Sequence, residues 1–326
     1  MQSSQAVARP SLLLTRKLPD AVEARAARDY RAVLNTDDTP LSGAQIAARA
    51  SGMDGILCCA GDRLDAAAIA ALPDSVRILA TFSVGTDHID LAAARARGLV
   101  VTNTPDVLTD ATADIALLLM LGAARRASEG ERMIRDGSWT GWTPTQLMGT
   151  HLGGKGLAIL GMGRIGRAVA ERARAFGMAI HYHNRSRLTP DLELGATFHA
   201  DPEAMLEHAD VLSFHCPATK ETTHWLNAAR IERLPRGAIV VNTARGAVVE
   251  DAALIAALKS GRLAAAGLDV FEGEPNLNPA YRDLPNTFLL PHLGSATVET
   301  RNAMGFRALD NLDAFFNERQ IQDKVI

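Results

Sequence analysis

The chain has 326 residues, which at roughly 150 residues per domain predicts two domains. Hydrophobic residues make up 47% and charged residues 22% of the chain, a composition that excludes a disordered or fibrous protein. The formal net charge is only -3 at pH 7, so the excess of basic residues typical of nucleic-acid-binding proteins is missing and we expect no nucleic-acid partner.

The cysteines and the apolar runs bear on the cellular compartment. Cys58, Cys59 and Cys216 have no spacing typical of a disulfide framework or a metal site. The apolar run at residues 12–14 is too short for a secretory signal, and the longest run, residues 115–124, is shorter than the roughly 18 residues that span a membrane. We therefore expect a soluble, cytoplasmic protein without a metal or a membrane partner.

From residue 11 to residue 101, short aliphatic and β-branched runs alternate with alanine-rich segments of helical composition. This alternation predicts βα units around a parallel sheet. The predicted strands are SLLLT, RAVLN, GILCC, VRILA and LVVT. A second series of the same kind begins at Gly156, with the strands LAIL, AIHYH, VLSFH, AIVVN and AAAGLDV, and predicts a second α/β domain.

Two further helical segments determine the domain limits. We take residues 110–126, an apolar helical pattern, as the crossing between the domains; a loop-rich segment with two tryptophans, GSWTGWTPTQLMGTHLGG, follows it. Residues 296–316 are again helical and come after the last predicted strand, so we expect them to return to the first domain. The sequence thus predicts an α/β protein of two doubly wound parallel-sheet domains. The first is discontinuous and consists of residues 1–104 and 295–326, and the second consists of residues 105–294.

A glycine-rich turn opens the second series. The sequence GMGRIG follows the apolar run LAIL and precedes a helical segment. Gly161 allows a tight turn, Gly163 lets the backbone approach a pyrophosphate, and Gly166 lets the helix pack closely on the strand. Such a turn can also serve chain reversal alone, but the strand before it and the helix after it favour dinucleotide binding. The predicted contacts include Arg164 and Ile165 of the same turn.

The end of the next predicted strand bears on the choice of cofactor. An NAD-binding protein carries an acid there that binds the ribose hydroxyls, but this chain has HYHNRSR. Asn184, Arg185, Ser186 and Arg187 supply donors and positive charge that would attract a 2′-phosphate. NADP is therefore favoured and NAD remains possible. The alternative is that these arginines only form a solvated surface turn.

Six motifs in sequence order resemble the D-isomer-specific 2-hydroxyacid dehydrogenases. They are SVGTDHID, NTPDVLTDATADIALLLML, ILGMGRIG, NTARGAVVEDAAL, AAAGLDVFEGEP and LLPHLGSAT, and the resemblance covers most of the chain beyond about residue 55. Within the family, TPDVLTDATAD, GSWTGW and HNRSR resemble the glyoxylate/hydroxypyruvate reductases and the related 2-ketogluconate reductases. The resemblance implies a Rossmann cofactor domain, a flavodoxin-like substrate domain with the active site in the cleft between them, and a homodimer with residues 110–146 as the interface.

Reduction of a 2-oxo acid requires a cation for the carboxylate and the ketone, an acid, and a group that keeps this acid protonated. The resemblance implies that Arg245 is the cation and that His292 donates the proton. It also implies that Glu274 binds the other imidazole nitrogen and raises the histidine pKa. We expect the neighbouring Glu272 to be solvated. Taken alone, an arginine at a strand end is more often part of a structural ion pair.

The resemblance implies further contacts. Backbone amides of Val84 and Gly85 would bind the substrate carboxylate, unless this loop is a plain turn. Asp269 would lie near the nicotinamide, with a capping or turn role as the alternative. Trp142 would reach the active site of a neighbouring subunit or only pack in the dimer interface. The remaining cofactor contacts implied are Cys216, Pro217, Thr243 and Gly294.

The function expected is NADPH-dependent reduction of small 2-oxo acids, glyoxylate and hydroxypyruvate first. A related alternative is 2-ketogluconate reduction, and the sequence does not separate the two. An alternative of another class is a nucleotide-sensing binding protein, since the same fold also serves as a transcriptional corepressor. The intact set of Arg245, Glu274 and His292 favours the enzyme. Oxidation of phosphoglycerate or formate with NAD is not favoured, because the usual ribose-binding acid is absent.

Overall fold

A computed structural model describes residues 9–326, which form two compact units. The first comprises the chain up to Leu108 together with Ala296–Ile326, and the second comprises Thr109–Ser295. The predicted domain boundaries, after residues 104 and 294, lie close to these limits.

The first unit contains a five-stranded sheet in which all strands run parallel, in the order β2-β1-β3-β4-β5. Its strands are β1 (Ser11–Leu14), β2 (Arg31–Val33), β3 (Gly55–Cys59), β4 (Ile78–Phe82) and β5 (Val100–Thr102). The helices that connect them are α1 (Asp20–Asp29), α2 (Gly43–Arg49), α3 (Ala66–Ala71) and α4 (Leu91–Ala96). Buried clusters lie on both faces of this sheet, as the alternation of strands and helices predicts.

The second unit contains a seven-stranded parallel sheet. Its helices are α5 (Thr109–Ala124), α6 (Ala127–Arg135), α7 (Arg164–Ala175), α8 (Pro190–Glu193), α9 (Pro202–Leu206), α10 (Ala228–Ile231) and α11 (Asp251–Lys259). Its strands are β6 (Gly156–Leu160), β7 (Ala179–His183), β8 (Thr197–Phe198), β9 (Val211–Phe214), β10 (Ala238–Asn242), β11 (Leu263–Leu268) and β12 (Thr287–Leu289). These two parallel-sheet units confirm the predicted fold class.

The strand order of the second sheet is β12-β11-β10-β9-β6-β7-β8. The direction in which successive strands are added to the sheet changes at β6. The chain first adds β7 and β8 on one side of β6 and then adds the remaining strands on the other. A crevice therefore opens between β6 and β9 at their carboxyl ends, which is where ligands bind in open α/β sheets. The glycine-rich turn follows β6 directly and thus lies at this crevice.

The last helix, α12 (Val298–Phe316), belongs to the first unit. Its Leu309 and Leu312 are buried in one cluster with Leu12 and Leu57 of the first sheet. Because these apolar side chains pack on that sheet, the chain returns to the first unit after it has completed the second.

Several short elements were not predicted from the sequence, among them α6, β8 and β12. Helix α6 has nine residues and buries none of them. Strand β8 has only two residues and β12 only three, which is too short for a period-two pattern. Within residues 9–326, no helix has both the length and the apolar character that a membrane crossing requires.

Candidate active site

Three neighbouring strands of the second unit bring the predicted catalytic residues to one edge of the sheet. Strands β10, β11 and β12 are adjacent and parallel. Arg245 follows β10, Asp269 follows β11 and His292 follows β12. Because the carboxyl ends of parallel strands lie at the same edge, residues that are almost 50 positions apart in sequence come together.

His292 and Glu274 form a hydrogen-bonded pair. The imidazole Nδ1 lies 2.8 Å from Oε2 of Glu274, and the other carboxylate oxygen accepts the N–H of Phe271 at 2.7 Å. The carboxylate is thus held from two sides and orients the ring. No residue among 9–326 forms a hydrogen bond with Nε2 of His292, so this nitrogen is available to a substrate oxygen.

The pair stabilises the charged form of the histidine. The hydrogen bond to Glu274 raises the pKa of His292 against the opposing effect of burial, and the charges of Glu274 and Asp269 raise it further. Burial alone would raise the pKa of Glu274, but the bonds from His292 and Phe271 outweigh it and lower that pKa. The arrangement therefore favours an imidazolium next to a carboxylate, and an imidazolium can donate a proton.

Asp269 fixes the turn that carries His292. Its side chain is buried, and its two carboxylate oxygens accept the N–H groups of Leu293 at 2.6 Å and Gly294 at 2.8 Å. Its carbonyl oxygen accepts the N–H of His292 at 2.9 Å. His292 itself has a φ of 54°, a left-handed conformation that is unusual for a residue with a side chain. Three hydrogen bonds to one aspartate thus hold a strained turn in place.

Arg245 lies close to the histidine–glutamate pair. Its positive charge lowers the pKa of both Glu274 and His292. Asn242 fixes the backbone here, because its Nδ2 donates to the Arg245 carbonyl at 3.0 Å. The next residue, Gly246, allows the close approach: a Cβ there would lie 1.9 Å from the carbonyl carbon of Phe271. The strand end and the loop that carries Glu274 therefore touch backbone to backbone.

The glycine-rich turn has the features expected of a dinucleotide site. Gly161 has a φ of 95°, and a Cβ on it would lie 2.6 Å from the backbone nitrogen of Cys216. A Cβ on Gly166 would lie 2.5 Å from the carbonyl of Gly161, so helix and strand pack closely there. A Cβ on Gly163 would contact no described atom within 4 Å, and no side chain caps the N-terminus of α7. The residues present thus fit a dinucleotide, with space and helix amides for its pyrophosphate.

Asn184, which we expected to bind the cofactor, also contacts the glycine-rich turn. Its Oδ1 accepts the N–H of Met162 at 2.7 Å, and Nδ2 lies 3.3 Å from the carbonyl of Met162. Its amide therefore ties the end of β7 to the glycine-rich turn.

The two arginines of this segment also differ from each other. Arg187 forms a two-pronged ion pair with Glu193, with Nε 2.8 Å from Oε1 and Nη2 3.0 Å from Oε2. Arg185 has no hydrogen bond or ion pair of this kind with the described residues.

A partly buried histidine that the sequence did not predict contacts one of the residues predicted to bind the cofactor. The ring of His215 lies between Ser213 Oγ at 2.8 Å and Thr243 Oγ1 at 3.2 Å. Burial lowers its pKa to about 3, so it stays neutral and orients the Thr243 hydroxyl. Burial raises the pKa of the adjacent Cys216 thiol to about 11, so this cysteine lacks the thiolate character of a nucleophile. Only its position beside Cys216 at the end of β9 could have identified this histidine.

We expected Glu272 to be solvated, but its side chain also contacts a histidine. Its Oε1 lies 2.7 Å from Nε2 of His224, which raises the pKa of that histidine. The loop between Phe271 and Glu274 therefore carries two histidine–glutamate pairs. Only the pair that contains His292 is beside Asp269 and Arg245.

In the first unit, side chains hold the predicted carboxylate-binding loop after β4. Asn103 Nδ2 donates to the carbonyl of Val84 at 2.8 Å, and Ser83 Oγ donates to the carbonyl of Gly85 at 2.7 Å. Because a trans peptide directs its N–H away from its C=O, these bonds fix where the amides of Gly85 and Thr86 point. Among the remaining predicted residues, Trp142 lies in a segment without regular structure and is 79% exposed.

Comparison with known proteins agrees with this geometry. Residues 117–294 match the family model for the D-isomer specific 2-hydroxyacid dehydrogenase, NAD binding domain. A glycerate dehydrogenase of Hyphomicrobium methylovorum is 45% identical over 95% of this chain and 97% of its own, and a glyoxylate reductase of Thermococcus litoralis is 41% identical over 94% of each.

A solved structure is similar throughout its length. The NADPH-dependent glyoxylate/hydroxypyruvate reductase of Sinorhizobium meliloti, in complex with NADP and malonate, superposes with a TM-score of 0.88 at 38% identity, covering 98% of this chain and 97% of that one. Both the family model and these full-length similarities confirm the resemblance seen in the motifs. The chain therefore belongs to the D-isomer-specific 2-hydroxyacid dehydrogenase family.

Proposed function

We propose that the protein reduces small 2-oxo acids with NADPH, with glyoxylate and hydroxypyruvate as the first substrates to consider. The observation that carries this proposal is the His292–Glu274 pair beside Arg245. Relatives named glyoxylate reductase and glycerate dehydrogenase support the choice of small substrates.

Each polar group has a task in this reaction. The Arg245 guanidinium binds the substrate carboxylate and polarises the ketone, and amides of the Val84–Gly85 loop bind the carboxylate as well. The cofactor supplies the hydride that reduces the ketone carbon. His292 gives the proton on Nε2 to the ketone oxygen, and Glu274 holds Nδ1 while the charge on the ring is lost. One 2-oxo acid, one hydride and one proton thus yield one 2-hydroxy acid.

Three observations support NADPH over NADH. No acid follows β7, where Asn184, Arg185, Ser186 and Arg187 stand instead. Arg187 keeps donors beyond those bound by Glu193, and Arg185 is exposed. The related reductase of Sinorhizobium meliloti, whose structure contains NADP, also supports NADPH as the cofactor.

We also propose that the protein is a homodimer that uses residues 110–146. Exposed large apolar side chains cluster in this part of the second unit: Leu118 at 45%, Ile134 at 62%, Trp139 at 50% and Trp142 at 79%. Such exposure is unusual for a surface that faces only water. A second copy of the chain would cover these side chains.

A substrate and cofactor panel tests the proposed function. Glyoxylate, hydroxypyruvate and 2-ketogluconate are each assayed with NADPH and with NADH, and His292→Ala serves as the control for background reduction. We expect the highest kcat/KM with NADPH and one of the two smaller acids. A higher kcat/KM with 2-ketogluconate or with NADH would contradict the corresponding part of the proposal. Absence of turnover with all three acids would favour the nucleotide-sensing alternative.

A further inference from the structure

A buried carboxylate contacts one of the two arginines proposed to bind the 2′-phosphate. The Glu193 side chain is 7% exposed, whereas that of its partner Arg187 is 65% exposed. Both carboxylate oxygens take part, since Oε1 accepts from Nε and Oε2 accepts from Nη2. Glu193 is thus the fixed member of the pair and Arg187 is the member that reaches the surface.

Glu193 is anchored in the core of the second unit. Tyr182 is fully buried in β7, and its hydroxyl donates to Oε1 of Glu193 at 2.6 Å while it accepts the N–H of Leu188 at 3.0 Å. The carbonyl of Glu193 accepts from Nη2 of Arg174 at 2.7 Å. A chain of contacts therefore runs from a core tyrosine through one carboxylate to the exposed guanidinium.

The donors of Arg187 can be counted. A guanidinium has five N–H groups, and Glu193 takes one from Nε and one from Nη2. The other three have no acceptor within residues 9–326. Because the guanidinium is planar and rigid, one N–H on Nη1 and one on Nη2 form the end of the group, and the second N–H of Nη1 lies on the side away from Glu193. One edge is thus held, and the end formed by Nη1 and Nη2 is open to a ligand with several acceptor oxygens.

We infer that Glu193 is a positioning residue for cofactor selectivity: it holds Arg187 so that the open end of the guanidinium can receive the 2′-phosphate of NADPH. The inference rests on the proposed NADPH preference. It also separates the two arginines, since Arg187 is oriented before the cofactor arrives and Arg185 contributes charge without a comparable support.

Orientation and charge predict opposite effects of removing Glu193. Loss of its negative charge would strengthen the attraction for a phosphate, whereas loss of the support would leave Arg187 to be ordered on binding. Solvent and salt screen the charge effect, because the arginine is exposed. Orientation is not screened, and charge-assisted bonds to a phosphate need directed donors. We therefore expect that removing Glu193 weakens binding of the 2′-phosphate.

Calorimetric titration with two cofactor fragments tests this inference without turnover. The full-length protein is titrated with 2′,5′-ADP, which carries the 2′-phosphate, and with 5′-AMP, which does not. In Glu193→Gln, which keeps the size and one acceptor for Tyr182, we expect the Kd for 2′,5′-ADP to rise about threefold to tenfold. The Kd for 5′-AMP should stay the same, so a general loss of folding is distinguished from a loss of selectivity.

Two further variants complete the design. Asp191→Asn removes the same charge from the same short helix, α8, at a residue that forms no hydrogen bond with Arg187, and should leave both Kd values unchanged. In the Arg187→Ala background, Glu193→Gln should have no additional effect on the Kd for 2′,5′-ADP, because the residue through which Glu193 acts is gone.

The outcomes separate this inference from the proposed cofactor. If the unaltered protein binds 2′,5′-ADP no better than 5′-AMP, the NADPH preference fails and the inference fails with it. If Arg187→Ala weakens 2′,5′-ADP binding but Glu193→Gln leaves it equal or stronger, only the inference is overturned. An equal loss from Glu193→Gln with and without Arg187 would also overturn it, since Glu193 would then act on the fold of the turn.

Discussion

Glu274 and His292 meet at 2.8 Å, and the glutamate oxygen that does not contact the ring is bound by the N–H of Phe271. Two positions earlier in the same loop, Glu272 contacts His224 at 2.7 Å. The two pairs are alike in chemistry, and the charge of Arg245 acts on both members of the first. Each pair is therefore a natural control for the other.

The first prediction concerns the pH dependence of reduction. Reduction requires protonated His292, so kcat/KM should fall as the pH rises through the pKa of this histidine in the enzyme–NADPH complex. Glu274 raises that pKa, and Glu274→Gln removes the charge while it keeps the size and one acceptor. The fall should therefore move to lower pH. The measurement is kcat/KM for the 2-oxo acid as a function of pH at saturating NADPH.

Glu272→Gln is the matched control for that profile. It removes the same charge from the same loop, but its partner is His224. We expect the position of the fall in kcat/KM to stay where it is. Equal shifts in both variants, or none in Glu274→Gln, would mean that the Glu274–His292 pair does not set the profile.

The second prediction concerns the proton itself. His292→Ala should lower kcat by about 10²-fold to 10⁴-fold, the usual contribution of a positioned acid. NADPH binding, followed by the fluorescence of the nicotinamide, should be retained, since the glycine-rich turn is a separate element. A kcat near that of the unaltered enzyme would show that the proton comes from another group.

The third prediction concerns the proposed 2′-phosphate site. Replacing both Arg185 and Arg187 by alanine should raise KM for NADPH by at least about tenfold, through loss of charge-assisted hydrogen bonds. KM for NADH should change little, because NADH has no 2′-phosphate. Parallel changes in both KM values would instead indicate damage to the whole adenosine site.

The fourth prediction concerns the contact between Arg245 and the Glu274 loop. In Gly246→Ala the new methyl group would meet backbone atoms of Phe271 and Glu272, so the loop must shift. Displacement of Glu274 by even an ångström should lower kcat by about 10²-fold and move the pH profile as Glu274→Gln does. NADPH affinity should be retained. Near-normal kcat together with an unshifted profile would contradict this prediction.

The fifth prediction concerns assembly. Sedimentation equilibrium should give twice the mass of the chain, and Trp142 should be shielded from an aqueous fluorescence quencher although it is exposed in one chain. A monomer with full activity would rule out a shared site at this tryptophan.

The local patterns of the sequence determined much of the fold and many of the candidate site residues. Alternation of apolar runs with alanine-rich segments predicts parallel sheets, since the hydrophobic periodicity of each strand and helix is visible within its own segment. The glycine-rich turn can also be recognised from a short segment, because the backbone geometry of the turn itself requires each glycine. Arg245, Glu274 and His292 were identified by motif, because each lies in a short segment whose order and spacing resemble the family.

The partners of these residues were decided by the tertiary structure. The resemblance implied the contact between Glu274 and His292, but nothing in the order of residues pairs Glu272 with His224; adjacent strands of the second sheet bring these loops together. The bond between Asn184 and Met162 likewise depends on the pairing of β6 with β7. Arg187 lies in a polar segment of the sequence, and such a segment does not predict an ion-pair partner. Only the fold places the carboxylate of Glu193 between that arginine and a buried tyrosine, because a hydrogen bond needs atoms within about 3 Å and sequence separation does not encode that distance.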